Sequence, residues 1–217
     1  MSDEALRITL IHALAHSMPA VESAFSTHWP EPFRRNLLDD SISKDVEREG
    51  SLTPAIHSRF RDLARYAASC GTDAILFTCS AFGPCIEACA KELQPLPVLK
   101  PNEAMIEQAS GLGSRIGLLA TFAPTLRTMP PEFPKTVQVV PRLVAKALDA
   151  LNAGDGDLHD NLIAGAASEL TECDVIALSQ FSMARAARIV EEVTDIPVLT
   201  TPGCAVLKLR DLLTTKP

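Results

Sequence analysis

Three kinds of segment are missing from this 217-residue chain. No run of eighteen apolar residues occurs, so no membrane-spanning helix is expected. No cluster of lysine and arginine stands out against a formal net charge of −7, which argues against nucleic acid or an anionic membrane as partner. No phosphate loop of the GxxxxGK type is present, and Gly111 and Gly113 close a helix-like stretch ahead of a strand instead of opening a helix after one, which removes a dinucleotide-binding loop. Paired CxxC motifs are also lacking. Cys70, Cys79, Cys85 and Cys89 are separated by eight, five and three residues, and Cys173 and Cys204 stand apart. The start, MSDEALRITLIHAL, is acidic and passes directly into a strand-length apolar run without a basic leader or small-residue cleavage site. Reduced thiols and a cytoplasmic location are therefore the expectation.

What is present is an ordinary globular composition, 47% hydrophobic and 22% charged. The chain is organised around Asp73–Phe82, DAILFTCSAF: an apolar run ending in Thr78-Cys79-Ser80, followed by Gly83-Pro84 and a helix-like segment. Cys79 is thus expected where a strand stops and a helix begins, the corner at which α/β proteins bind ligands. About a hundred residues later Asp174–Met183, DVIALSQFSM, repeats the layout with Gln180 in the place of Cys79. Arg115–Phe122 echoes Arg7–Leu14, and Pro97-Val98-Leu99 recurs as Pro197-Val198-Leu199. From Asp73 to Pro97 the spacing is 24 residues, and from Asp174 to Pro197 it is 23.

The repeat predicts an α/β protein of two similar lobes from a duplicated unit, each a mainly parallel sheet flanked by helices, with the active-site cleft between them. The lobes are expected at residues 1–110 and 111–217, with a C-terminal segment crossing over to complete the first. Within them, Phe33–Ile42 reads as a strand ending in Asp39, Asp40 and Ser41, SKDVEREGS as a charged turn, and Leu52–Cys70 as an amphipathic helix capped by Thr53. Asn152–Asp157 reads as a loop and Leu158–Leu170 as a helix. Asn102 and Glu103 are expected to cap a helix, and His16 and His57 to lie on the surface.

The duplicated halves, the corner Thr78-Cys79-Ser80 and its counterpart Ser179-Gln180-Phe181 resemble the aspartate/glutamate racemase superfamily, which includes hydantoin racemases, maleate isomerases and arylmalonate decarboxylases. The resemblance implies a pseudo-symmetric, cofactor-independent enzyme whose racemases use one cysteine per lobe on opposite faces of the substrate carbon. Cys79 matches the first of these positions and Gln180 stands at the second. Ser80-Ala81 replaces the asparagine-threonine pair that often follows the first cysteine, and His12-Ala13 replaces the aspartate-serine motif of glutamate racemases.

Chemistry at a carbon next to a carboxylate needs an acid or base close to that carbon and donors for the developing charge. Cys79 is the candidate acid, base or nucleophile. A free thiol is only a few per cent ionised at neutral pH, so a lowered pKa is expected, supplied by Thr78, Ser80 and the main chain of Ser80–Gly83. Gln180 has no acid or base form near neutral pH. His12 is either the group that replaces the second thiol or a satisfied core histidine. Thr78, Ser80, Ala81, Thr121, Gln180 and Ser182 are candidates for binding the substrate, a small carboxylate. No cofactor, metal, nucleic acid or membrane is expected, and a homodimer is. Two other readings remain open: a catalytically silent carboxylate-binding or sensor protein on the same scaffold, and a thiol-redox or metal module using the clustered cysteines.

Overall fold

The computed structural model of the chain describes residues 5–215. By contacts these fall into two units, one comprising the chain up to Pro101 together with the stretch from Ala205 onward, the other Asn102–Cys204. The first unit alternates β1 (Arg7–His12), α1 (Ser17–His28), β2 (Phe33–Leu38), α2 (Ser41–Glu49), α3 (Pro54–Ser69), β3 (Ala74–Phe77), α4 (Gly83–Glu92) and β4 (Val98–Leu99). Its four strands are all parallel, in the order β2-β1-β3-β4. The second unit runs α5 (Glu103–Leu112), β5 (Arg115–Ala120), α6 (Ala123–Thr128), β6 (Gln138–Leu143), α7 (Ala145–Asn152), α8 (Gly156–Ala167), β7 (Val175–Leu178), α9 (Ala187–Thr194) and β8 (Val198–Thr200). Its sheet has the same parallel order, β6-β5-β7-β8. The division between units falls inside the last helix, α10 (Thr201–Thr214).

The repeat seen in the sequence is a repeat of register. Ile11 pairs with Phe77 in the first sheet and Leu119 with Leu178 in the second, so Thr78-Cys79 and Ser179-Gln180 leave their sheets at equivalent points. Strands β3 and β7 are entirely buried, as strands covered on both faces must be. Each is also tied at its start by an aspartate. Asp73 Oδ2 accepts the Arg7 main-chain N–H at 2.7 Å, and Asp174 Oδ2 accepts those of Ser114 and Arg115, each at 2.8 Å. Gly113 is extended, at φ −170°, and has no side chain because a Cβ there would overlap Asp174 Cβ.

Several elements differ from the sequence reading. SKDVEREGS is not a turn: it forms most of α2, whose only buried residue is Ile42, and which ends at Gly50 with φ 68°. A short, highly charged helix with one buried side chain offers few apolar residues to read. Helix α7, also unmarked, is short and buries only Ala147 and Ala150. Helix α8 opens at Gly156, capped by Asp155, whose carboxylate accepts Leu158 N–H at 2.9 Å. The sequence reading placed the change of lobe after residue 110. By contacts α5 goes with the second unit, because Ala104, Met105, Ile106 and Ala109 share a core with Ile116 and Leu118. The Thr53 cap of α3 is present, accepting Ile56 N–H at 3.4 Å.

Candidate active site

In the first unit the corner begins where β3 ends at Phe77. Thr78 keeps sheet pairing through its N–H to the Ile11 carbonyl at 3.0 Å. Cys79 then turns out in extended conformation, and Ser80–Phe82 form one 3-10 turn that leads into α4. Aromatic packing fixes both ends of this corner. The Phe60 ring of α3 lies 5.5 Å from the Phe77 ring and 4.9 Å from that of Phe82. A narrow crevice with no room for a water molecule adjoins Cys79 and is walled mainly by Ile11, Ala13, Ile42, Phe60 and Phe77.

Cys79 is half-buried and is a free thiol, as are the other five cysteines. Its surroundings do the opposite of what the sequence suggested. Loss of hydration against the apolar wall pushes its pKa up to about 11, and the Ala81 N–H hydrogen-bonded to it offsets only part of that. Among the described residues no positive charge acts on it, and neutral donors do not compensate for lost water. Cys85, Cys89 and Cys204 are raised by burial as well, to about 12, 11 and 11.

His12 ends β1 and is 1% exposed. Its Nε2 lies 2.8 Å from Asn36 Oδ1, and its Nδ1 lies 2.8 Å from Thr78 Oγ1 and 3.2 Å from Ser17 Oγ. Asn36 Nδ2 donates to Glu22 at 3.2 Å, and Glu22 in turn pairs with Arg34 at 2.8 Å. Because the amide nitrogen must face the carboxylate, Asn36 offers its oxygen to the ring. Nε2 therefore carries the proton, and Nδ1 accepts from the Thr78 hydroxyl. Burial holds the His12 pKa below its ordinary value, against the opposing pull of Asn36 and of the Glu22 charge, so the ring is neutral. The sequence reading offered His12 as a second acid or base. In the structure both of its nitrogens are engaged, Nδ1 with Thr78, the residue before Cys79, and Nε2 with Asn36. Ser17, Asn36 and Glu22, which complete this arrangement, carried no signal in the sequence beyond an asparagine inside a strand.

In the second unit Gln180 leaves β7 in extended conformation. Its Oε1 accepts three hydrogen bonds, from Thr121 N–H at 2.6 Å, Thr121 Oγ1 at 3.1 Å and Phe122 N–H at 3.1 Å. Thr121, expected as a separate binding residue, is thus tied to Gln180, and the part played by the Phe122 main chain was not visible in the sequence. Ser179 turns its hydroxyl inward to the Leu119 carbonyl at 2.6 Å. Ser182 is half-buried in the 3-10 turn Phe181–Ala186, whereas Ser80 and Ala81 are buried.

The other candidates resolve as structural. Asp39 accepts from the Ser41 N–H and hydroxyl, and it pairs with Arg59. Asn102 is buried but does not cap α5 through its side chain, which donates instead to Glu132 at 2.9 Å. Among the described residues no group of three or more His, Cys, Asp or Glu side chains is placed to hold a metal ion, and no helix is long and apolar enough to cross a membrane.

Comparison with known proteins adds the following. The sequence pattern of the family described as Asp/Glu/Hydantoin racemase matches residues 38–209. Among solved structures, an aspartate racemase from Picrophilus torridus superposes with a TM-score of 0.74 at 14% identity, covering 94% of each chain. An allantoin racemase from Klebsiella pneumoniae gives 0.68 at 17% identity, over 97% of this chain and 88% of that one. A maleate cis-trans isomerase mutant from Nocardia farcinica, with a covalently bound succinylcysteine intermediate, gives 0.68 at 15% identity, over 97% and 93%. No curated protein sequence matches.

Proposed function

Because the chain belongs to the Asp/Glu/hydantoin racemase family, we propose that it catalyses proton transfer at a carbon next to a carboxylate, with Cys79 as its single catalytic thiol. The observation that carries this reading is Cys79 itself, half-buried at the end of the central strand β3 and held by an aromatic clamp. With its pKa raised to about 11 it is a thiol at neutral pH, so its role is that of an acid. In a decarboxylation the bond from the reacting carbon to the leaving carboxylate breaks and releases carbon dioxide, and the S–H bond then breaks as its proton passes to the carbanionic carbon of the enolate. The thiolate left behind is met by the Ala81 N–H and then takes a proton from solvent.

Gln180 has no acid or base form near neutral pH, and His12 is held by its own hydrogen bonds. The chemistry is therefore one-sided, an isomerisation or a decarboxylation with protonation rather than a two-thiol racemisation. The succinylcysteine of the Nocardia enzyme offers a nucleophilic alternative for Cys79. That role needs the thiolate, which burial disfavours here, and the acid role is preferred. The same raised pKa also favours a second reading, a carboxylate-binding protein without turnover.

Incubation in deuterium oxide with a panel of 2-substituted carboxylates and dicarboxylates, followed by proton NMR, separates these readings. One deuterium entering one configuration of product, and lost in Cys79→Ala, is the expected result. Deuterium uptake that survives Cys79→Ala sinks the proposal, and binding without any uptake supports the sensor reading.

A further inference from the structure

The two sheets are built alike and differ at one edge. Strand β2 is the outer strand of the first sheet and β6 that of the second, and they run in the same register: Leu10 pairs with Asn36, and Leu118 with Pro141. Main-chain groups of alternate residues point to opposite sides of a strand. The Phe33 and Asp39 N–H groups turn inward to the Leu6 and His12 carbonyls, so the main-chain groups of Arg34, Asn36 and Leu38 face the open edge. In β6 the Gln138 and Val144 N–H groups turn inward to Ser114 and Ala120, which leaves Val139, Pro141 and Leu143 facing out. Proline at the middle position removes the central donor and closes that edge to a further strand. The first sheet has Asn36 there instead, and its edge keeps the donor.

We propose that the edge of β2 is the surface through which two copies of this chain pair, antiparallel, about a two-fold axis at Asn36. The charges select that partner. From Arg34 to Asp40, RRNLLDD, the basic residues stand at the start of the segment and the acidic ones at its end. A second copy laid antiparallel brings each basic end towards an acidic end, whereas a parallel copy sets like charge against like. With Asn36 opposite the second copy's Asn36, the outward groups of Arg34 meet those of Leu38, Arg35 lies across from Leu37, and no like charges are directly opposed. Arg34 and Arg35 are already held, by Glu22 and by the Cys70 carbonyl, and Asp39 by Arg59, so these charges orient the second copy rather than form new ion pairs. Phe33 and Leu38, 57% and 43% exposed, supply apolar surface for the contact. Strands this short bury less than the roughly 1,200 Å² of a standard interface, which sets the dissociation constant on the order of micromolar.

Sedimentation equilibrium from about 1 to about 200 µM protein is expected to show monomer and dimer in exchange. Leu38→Lys sets a cation opposite Arg34 of the second copy and should weaken the dimer at least about tenfold, with a thermal melt checking that the fold is intact. Leu143→Lys, at the equivalent end of β6 and 44% exposed, should leave the dimer unchanged. A second measurement needs no variant: in the wild type, the Arg34, Asn36 and Leu38 amides should gain protection from hydrogen exchange as concentration rises, and those of Val139 and Leu143 should not. A monomer throughout the range overturns the inference and leaves the edge to an extended peptide of another protein. A dimer that Leu38→Lys does not weaken, one that Leu143→Lys weakens as much, or β2 amides indifferent to concentration overturns it as well. None of these measurements uses a substrate, so their outcome is independent of the reading of Cys79.

Discussion

The raised pKa of Cys79 makes a prediction that reaches outside any choice of substrate. A thiol of ordinary pKa near 9 is about one per cent thiolate at pH 7, whereas one at about 11 is ionised to roughly one part in 10⁴. The difference is about 3 kcal/mol against the charged form, which is a reasonable size for loss of hydration opposed by one main-chain N–H. Alkylation proceeds through the thiolate, so Cys79 should react with iodoacetamide at pH 7 about a hundredfold more slowly than a thiol of ordinary pKa. Restricted access would also slow it, and the pH profile separates the two causes. A shielded thiol of ordinary pKa levels off near pH 9, whereas Cys79 should keep accelerating by about tenfold per pH unit through that region. The assay is timed alkylation between pH 6.5 and 10.5 with peptide mapping by mass spectrometry, using glutathione as reference. A plateau at or below pH 9, or a rate at pH 7 matching glutathione, would refute the assignment of Cys79 as an acid and revive a thiolate mechanism.

Three other outcomes are expected from stability measurements. Replacing His12 with alanine leaves Thr78 and Asn36 without their buried partner and should cost about 3 kcal/mol in denaturant titration. Because the folded His12 pKa is lowered, the unfolded chain takes up a proton first as pH falls below 6.5. The contribution of His12 to stability is thus complete above that value and is lost as pH falls towards the folded pKa, and the variant's pH–stability curve should lack this component. Gly113→Ala forces a Cβ onto that of Asp174 in extended backbone and should destabilise by about 1–3 kcal/mol, whereas Gly156→Ala meets only the guanidinium of the partly exposed Arg185 and should be within about 0.5 kcal/mol of neutral. Thermal melts of the two variants compare them directly. Asp155→Ala removes the cap of α8 and should cost about 1 kcal/mol, with hydrogen exchange at Leu158 rising first.

Much of the fold was legible because the chain says it twice. The runs around Cys79 and Gln180 are short, apolar and bounded by turn residues, and the proline-valine-leucine segments recur at nearly the same distance, which is enough for parallel strands in repeated order. The elements that escaped, α2 and α7, are short and bury only one or two side chains each. The candidate site divided along similar lines. Cys79 and Gln180 were marked by their place at the end of a strand, a local property. The roles of His12 and Thr121 depend on partners at the ends of neighbouring strands, 66 and 59 residues away in the chain.

The sequence by itself determined the duplicated α/β architecture, the corner that carries Cys79 and the place of Gln180 at the repeated corner, because each is written in local pattern and spacing. Only the tertiary structure decided that His12 is neutral with both nitrogens engaged, that the Gln180 amide is locked with its oxygen inward, and that Cys79 is a protonated thiol. Protonation and hydrogen-bond direction are set by the dielectric and the partners that distant strands bring to a side chain, and no local stretch of sequence contains them.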